Sequence, residues 1–287
     1  MINGSIMRDA RKRQHLSQAG LAKGITTQAT ISKLENDSVA PNSEIMTKLV
    51  HRLHLSMDDI IIEDEQTPEQ ILKQADQWAE VFDYQETIDL LNRVDRDSFF
   101  TDEDKLHYSF LKINATMWLT HDFDASIFDF NRVLDEVTNK KQNIYALLAV
   151  CQLGTAYLSK EQPKQAAYYF DQVASLLDGI DTEKYLYWTL FILDNLSNFW
   201  SKQKQFDKSN VYANRGLTLA KKYRTILFME TLSFTLGENI AVVKGWDNKE
   251  ARQHLIQGWS FACFLDDQVV LTIMEKVMRE HHVTGDW

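Results

Sequence analysis

From residue 4 to residue 61 the apolar positions Met7, Ala10, Leu16, Leu21, Ala22, Ile25, Ile31, Leu34, Ile45, Leu49 and Leu53 recur at helical intervals and predict one small core. Five short helices are expected there, over about 4–14, 17–23, 28–36, 42–53 and 57–61. Ser17 and Thr27 fall where N-caps are wanted, since a hydroxyl at that position accepts from an otherwise unpaired first-turn N–H. Pro41 closes the loop before the fourth helix, which Asn42 or Ser43 starts. The polar, acidic run Glu63-Asp64-Glu65-Gln66-Thr67 lacks apolar periodicity and predicts a linker over 63–67. Pro68 then suits the first turn of a new helix, where a missing N–H is harmless.

Beyond residue 68 the chain reads as helix pairs with a recurring shape. The clearest unit is Leu153-Gly154-x-x-Tyr157 followed by Ala166 and Phe170, the spacings of the tetratricopeptide repeat: a small residue lets paired helices approach and a large one fills the groove between them. Corresponding pairs are Thr87/Leu91, Ser126/Phe130, Ser209/Tyr212 and Ala251/Leu255, the fourth repeat's being one residue out of step. Five degenerate repeats over 68–287, closed by a helix around 268–281, are therefore expected to wind into a right-handed superhelix with a concave inner surface. With 10 Gly and 3 Pro, turn residues are too few for a β-sandwich or barrel, and the fold class expected is all-α.

Charge separates the two parts. Residues 1–56 hold eight Lys and Arg against four Asp and Glu, a balance of +4, so the net charge of −10 leaves −14 on residues 57–287. A basic module suits phosphate; an acidic body suits protein or peptide. Cys151 and Cys263 form no CxxC pair, and no HExxH, Gly-rich phosphate loop or GxSxG is present, so no metal, cofactor or enzymatic chemistry is expected. No window approaches the length of a membrane span and the N-terminus lacks a signal-peptide stretch, so the expected location is the cytoplasm.

Within the first block, Gly4-x-x-Met7-Arg8-x-x-Arg11, Leu16-Ser17-Gln18-x-x-Leu21-Ala22, Ile31-Ser32-Lys33-Leu34-Glu35 and Pro41 resemble the Xre-type helix-turn-helix family, which places a DNA-binding domain at 1–62. Ala22 and Ile31 stand nine residues apart, a shorter interval than the family's usual one. The third helix of such a motif enters the major groove. With Ile31 and Leu34 facing inward, Gln28, Ala29, Thr30, Ser32 and Lys33 face out, next to Thr27. They offer an amide able to bond adenine twice, methyl groups for thymine, hydroxyls, and an ammonium for phosphate, with Gln28 the first base reader. The resemblance further implies that Gln18 meets a backbone phosphate at a helix N-terminus. It also implies a Glu35–Arg11 pair that orients Arg11 toward phosphate, worth only ~0–1 kcal/mol if exposed. Taken alone, Gln28, Thr30 and Lys33 would read as a solvated helix face.

In the repeats the first helices are expected at roughly 70–80, 104–119, 143–158, 184–200 and 226–243. Asn114, Asn195, Asn198 and Asn239 interrupt apolar stretches within them, and an amide can hold a peptide backbone as donor and acceptor at once. Asn195 and Asn198 share a face, whereas Asn114 and Asn239 align with Gly154 and have helix packing as their alternative. Trp118 and Trp200 are candidates for the groove wall or the core, and Asp194 for selecting a cationic group.

An Xre-type module followed by degenerate tetratricopeptide repeats resembles the quorum-sensing regulators of Gram-positive bacteria known as the RRNPP group, PlcR-like members most. The resemblance implies a homodimeric transcription regulator whose repeats bind a short signalling peptide and whose paired modules meet near-palindromic double-stranded DNA. Half-sites would lie about 34 Å apart or a multiple of that. Asn195 falls where those regulators use asparagine for the peptide, while their first-repeat lysines correspond to Glu80 and Phe82, so an acidic peptide would fit poorly. Two alternatives stay open: a constitutive repressor whose repeats serve only dimerisation, and a Rap-like modulator of a response regulator, whose N-terminal bundle the Xre block argues against.

Overall fold

A computed structural model describes residues 4–37, 39–57, 59–60, 66–137 and 143–283. These form fifteen α-helices, with no strand among the described residues. The chain divides into two compact units, Met1–Ile71 and Leu72–Trp287.

The first unit holds α1 (Gly4–Arg13), α2 (Gln18–Ala22), α3 (Gln28–Asp37) and α4 (Ser43–Arg52). Its starts are capped by the residues the sequence nominates: the Ser17 hydroxyl accepts from the Gly20 N–H at 3.0 Å, Thr27 from Thr30 at 3.2 Å, and the Asn42 carbonyl from Ile45 at 2.9 Å. Met7, Leu21, Ile31, Leu34 and Leu49 are wholly buried in one core. Gly4 allows the start of α1 to rest on α3, because a Cβ there would lie 2.0 Å from the Leu34 carbonyl oxygen. Of the expected fifth helix, residues 57, 59 and 60 are described and form a single turn, held by reciprocal Ser56 and Asp59 hydrogen bonds, with Ile60 buried. The expected linker lies outside the described residues at 63–65.

The second unit is built from helix pairs: α5 (Pro68–Glu80) with α6 (Tyr84–Leu91), α7 (Asp102–Thr120) with α8 (Phe123–Asp135), and α9 (Ile144–Ser159) with α10 (Pro163–Leu176). Then come α11 (Leu186–Lys202) with α12 (Phe206–Tyr223), α13 (Met229–Lys244) with α14 (Lys249–Leu265), and a closing α15 (Gln268–Glu280). Successive first helices touch, α7 on α9, α9 on α11 and α11 on α13, and so make one continuous layer. Each pair turns through one residue of positive φ: Phe82, His121, Glu161, Lys204 and Gly245. In three of the turns a backbone bond closes the helix end over six residues, Asp83 to Trp78, Gln162 to Tyr157 and Gln205 to Trp200, satisfying carbonyls that a helix leaves open.

The small-and-large pattern explains the packing inside pairs. A Cβ at Gly154 would lie 2.9 Å from the Phe170 ring, which stacks on Phe199 with centroids 4.4 Å apart. In the fourth repeat the sequence reading is corrected: Ser209 is buried with Ala213, four residues on, and Tyr212 is half-buried. The Ser209 hydroxyl instead donates to the Ser197 carbonyl. No helix among the described residues is long and apolar enough to cross a membrane.

Candidate functional site

In the first unit, burial of Ile31 and Leu34 turns the opposite side of α3 outward. Thr27, Gln28, Ala29 and Lys33 are exposed, Thr30 and Ser32 half-buried. The Thr27 hydroxyl caps α3 and lies 2.9 Å from that of Thr30. The Gln28 amide donates to the Gln18 carbonyl oxygen at 2.7 Å, and the Gln18 amide donates in turn to Glu35 at 3.0 Å. Glu35 also receives Arg11 through Nε at 2.6 Å and Nη2 at 2.8 Å, and Arg11 Nη1 donates to the Leu16 carbonyl at 2.6 Å. This relay fixes Gln28 and Gln18 on α3 and α2 while leaving Gln28 its carbonyl oxygen and one amide hydrogen.

The relay corrects the expectation for Arg11. The pair is buried, with side-chain exposures of 11% for Arg11 and 1% for Glu35, and its guanidinium is engaged by Glu35 and Leu16. Arg11 ties α1 to α3 and is not held out toward phosphate. Burial alone would raise the Glu35 carboxyl; hydrogen bonds from Arg11 and Gln18 outweigh it and hold the group below the usual carboxylate range. The exposed cations nearest in sequence are Lys12, Arg13, Lys23 and Lys33.

In the second unit a cavity of about 400 Å³ opens over α9, α11, α13 and α15. Its polar lining comes from two stripes, Asn195, Asn198 and Lys202 on α11 and Thr231, Thr235 and Glu238 on α13, with Thr155 on α9; Leu158, Phe199, Phe234 and Ile273 are among its apolar walls. The stripes are cross-linked. Thr231 donates to Asp194 at 2.6 Å, Asn198 donates to Asp194 at 2.9 Å, and Thr235 donates to the Asn198 carbonyl oxygen at 2.9 Å. Asn195 donates to the Phe191 carbonyl at 2.9 Å, which leaves its own carbonyl oxygen for a ligand.

The other expected ligand residues lie elsewhere. Asp194 is buried and absent from the lining; it joins α11 to α13, and burial, partly offset by Thr231 and Asn198, pushes its carboxyl up to about 6. Asn239 is saturated inside the helix packing by Ser201, Ser209 and Asn210 at 2.6–2.8 Å. Asn114 is buried in α7, and its carbonyl oxygen has no hydrogen-bond partner among the described residues. Trp200 is buried edge-on to Phe199 beneath the Lys208 ammonium, and Trp118 stacks on Tyr84. None of these five lines the cavity: Asp194, Asn239, Asn114 and Trp200 are buried packing positions, and Trp118 is half-buried against Tyr84. The sequence reading missed Lys202 and the whole α13 stripe, whose signal is the spacing Thr231, Thr235, Glu238 along one helix face.

A second hollow of about 440 Å³, between α7 and α8, has its cations Arg96, Lys112 and Arg132 engaged by Glu136, Tyr108 and Asp129. The α11 cavity is therefore the stronger ligand candidate.

The architecture is that of a helix-turn-helix module joined to a stack of helix pairs, and the comparisons agree. Residues 7–60 match the helix-turn-helix family, so the chain carries an Xre-type helix-turn-helix domain at its N-terminus. No curated protein sequence matches the chain significantly. Its fold is shared with Bacillus thuringiensis PlcR, solved in complex with the peptide PapR7 and DNA: 16% identity, a TM-score of 0.62, and coverage of 94% of this chain and 98% of that one. PlcR in its apo form gives 14% identity, a TM-score of 0.61 and coverage of 95% and 97%. ComR from S. thermophilus, in complex with DNA and its signalling peptide ComS, gives 13%, 0.53, 97% and 99%.

Proposed function

We propose that this protein is a peptide-responsive, DNA-binding transcription regulator that acts as a homodimer. The observation that carries the reading is the coexistence in one chain of an outward α3 with a pre-positioned glutamine pair and a cavity edged by Asn195 and Asn198. Fold likeness to PlcR and ComR, solved with DNA and with signalling peptides, supports it.

In this reading Gln28 meets an adenine through its free carbonyl oxygen and amide hydrogen, while Gln18, Lys33 and the N-terminus of α2 meet backbone phosphate. Two copies present two such helices to a near-palindromic site. A short peptide lies along the α11 stripe with its backbone bonded to the Asn195 carbonyl oxygen, and shifts the population competent for DNA only insofar as it binds that population more tightly. The module at residues 1–62 is the reader, 68–287 the receptor, and the location is the cytoplasm.

The test is selection of bound sequences from a random double-stranded DNA pool by the full chain, followed by the same selection with Gln28→Ala. Recovery of a two-half-site sequence, with loss of preference at one position in the variant, is expected. Recovery of no sequence preference would remove the DNA-reading function.

A further inference from the structure

The α11 cavity carries a carboxylate that no cation among the described residues answers. Glu238 lines it, is partly covered, and has no cation within ion-pair distance among the described residues; burial pushes its carboxyl up. Lys202, the cation on the same lining, is exposed at the rim and forms no ion pair with it. Glu80, exposed and next to the far end of α11 through a hydrogen bond from Tyr187 to its backbone carbonyl, likewise has no ion-pair partner among the described residues. The face along α11 is thus flanked by two unanswered carboxylates in a segment of the chain whose net charge is −14.

Any ligand that fills the cavity takes further water from Glu238. Ionised carboxylates are costly to desolvate unless a cation or hydrogen-bond donors come with the ligand, and otherwise they take up a proton. Apart from Thr155 on α9, the remaining walls, Leu158, Phe170, Phe199, Phe234, Val270, Ile273 and Met274, are apolar. Val269 and Ile273 of α15 are 74% and 60% exposed, apolar side chains on a helix that forms one wall. From Tyr187 to Lys202 is fifteen residue steps of helix, or ~22 Å at the helical rise, which an extended peptide of about seven residues spans.

We infer that the ligand of this cavity is a short extended peptide carrying a lysine or arginine, whose cation pairs with Glu238 while an aliphatic or aromatic neighbour sits against Phe199, Phe234 and Ile273. Glu238 is then the specificity-determining residue, and Asn195 the residue that binds backbone whatever the side chains are. The inference rests on the peptide-binding reading above and adds the charge of the peptide to it.

The test uses the full chain and pools of heptapeptides with blocked termini, randomised except for one fixed Lys, Arg, Glu or Leu, with retained peptides read by mass spectrometry. At one position the Lys and Arg pools should be retained about tenfold more than Leu or Glu pools, the size expected of a charge-assisted hydrogen bond. Glu238→Gln should level Lys with Leu, by lowering Lys retention and raising Leu retention as the carboxylate's desolvation cost is removed, and Glu238→Lys should move the preference to Glu. Equal retention of Lys and Leu pools by the natural protein would overturn the cationic ligand and leave peptide binding standing. A Lys preference that survives Glu238→Gln would overturn Glu238 as its holder. Retention of no pool by a chain that still selects DNA would overturn both.

Discussion

Glu35 is the residue on which the proposed reading face depends. A carboxylate at 3% exposure is tolerable only because Arg11 and Gln18 both donate to it, and in doing so it fixes Gln18, which fixes Gln28. Removing one partner of a buried pair leaves the other charge unanswered. Arg11→Met should therefore lower stability by about 3–5 kcal/mol in a denaturant titration, and adding Glu35→Leu should restore most of it; a loss under 1 kcal/mol would mean the pair is solvated. Gln28→Ala should leave stability unchanged and weaken specific DNA binding by about 1–3 kcal/mol. Asp194 titrates the opposite way from Glu35. Burial raises its folded value to about 6 from an ordinary 3.8, so the folded state holds the extra proton and stability declines as pH rises from about 4 through about 6. Asp194→Asn should flatten that slope, leaving the part that Glu230, raised to about 7, continues to higher pH; an unchanged slope would contradict the assignment. The caps at Ser17, Thr27 and Asn42 were legible because a cap is local. The fates of Arg11 and Asn239 were not, because their partners lie 24 and 29–38 residues away and only packing brings them together.

At the scale of elements, the repeat is visible in the backbone as well as in the side chains. The positive-φ residues Phe82, His121, Glu161, Lys204 and Gly245 follow one another at intervals of 39, 40, 43 and 41, by subtraction of their numbers. Four of the five carry a Cβ, at a cost of roughly 1 kcal/mol each relative to glycine in that conformation. Glu161→Gly should accordingly raise the melting free energy by about 0.5–1 kcal/mol despite adding a flexible residue. Gly154→Ala tests the close approach within a pair: a methyl 2.9 Å from the Phe170 ring should destabilise by about 1–3 kcal/mol in thermal unfolding. Helix pairing was legible from Gly154, Ala166 and Phe170, since small and large residues at fixed spacing state directly which helices must approach. The fourth repeat was not, because it places Ala213 and a serine-to-carbonyl bond between Ser209 and Ser197 where its neighbours place Phe170 and Leu255. Asn195 and Asn198 were legible as one face from their three-residue spacing; Thr231, Thr235 and Glu238 acquire meaning only once α13 lies beside α11.

For the molecule as a whole, the uneven charge matches the division of labour proposed for it: +4 on residues 1–56, where phosphate would be met, and −14 on the remainder. A separation of this kind makes association with DNA steep in salt, and the slope of log affinity against log salt reports the number of phosphates neutralised. The central claim is that the α11 cavity and the α3 face are energetically coupled, and coupling between two sites is reciprocal in binding free energy. The most direct measurement is the affinity of the full-length protein for its selected operator, by fluorescence anisotropy, with and without a saturating peptide from the retained pools. A change of at least fivefold in either direction, absent in an Asn195→Ala variant whose affinity without peptide is normal, is the predicted result. Identical operator affinity with the cavity empty and filled would contradict the account.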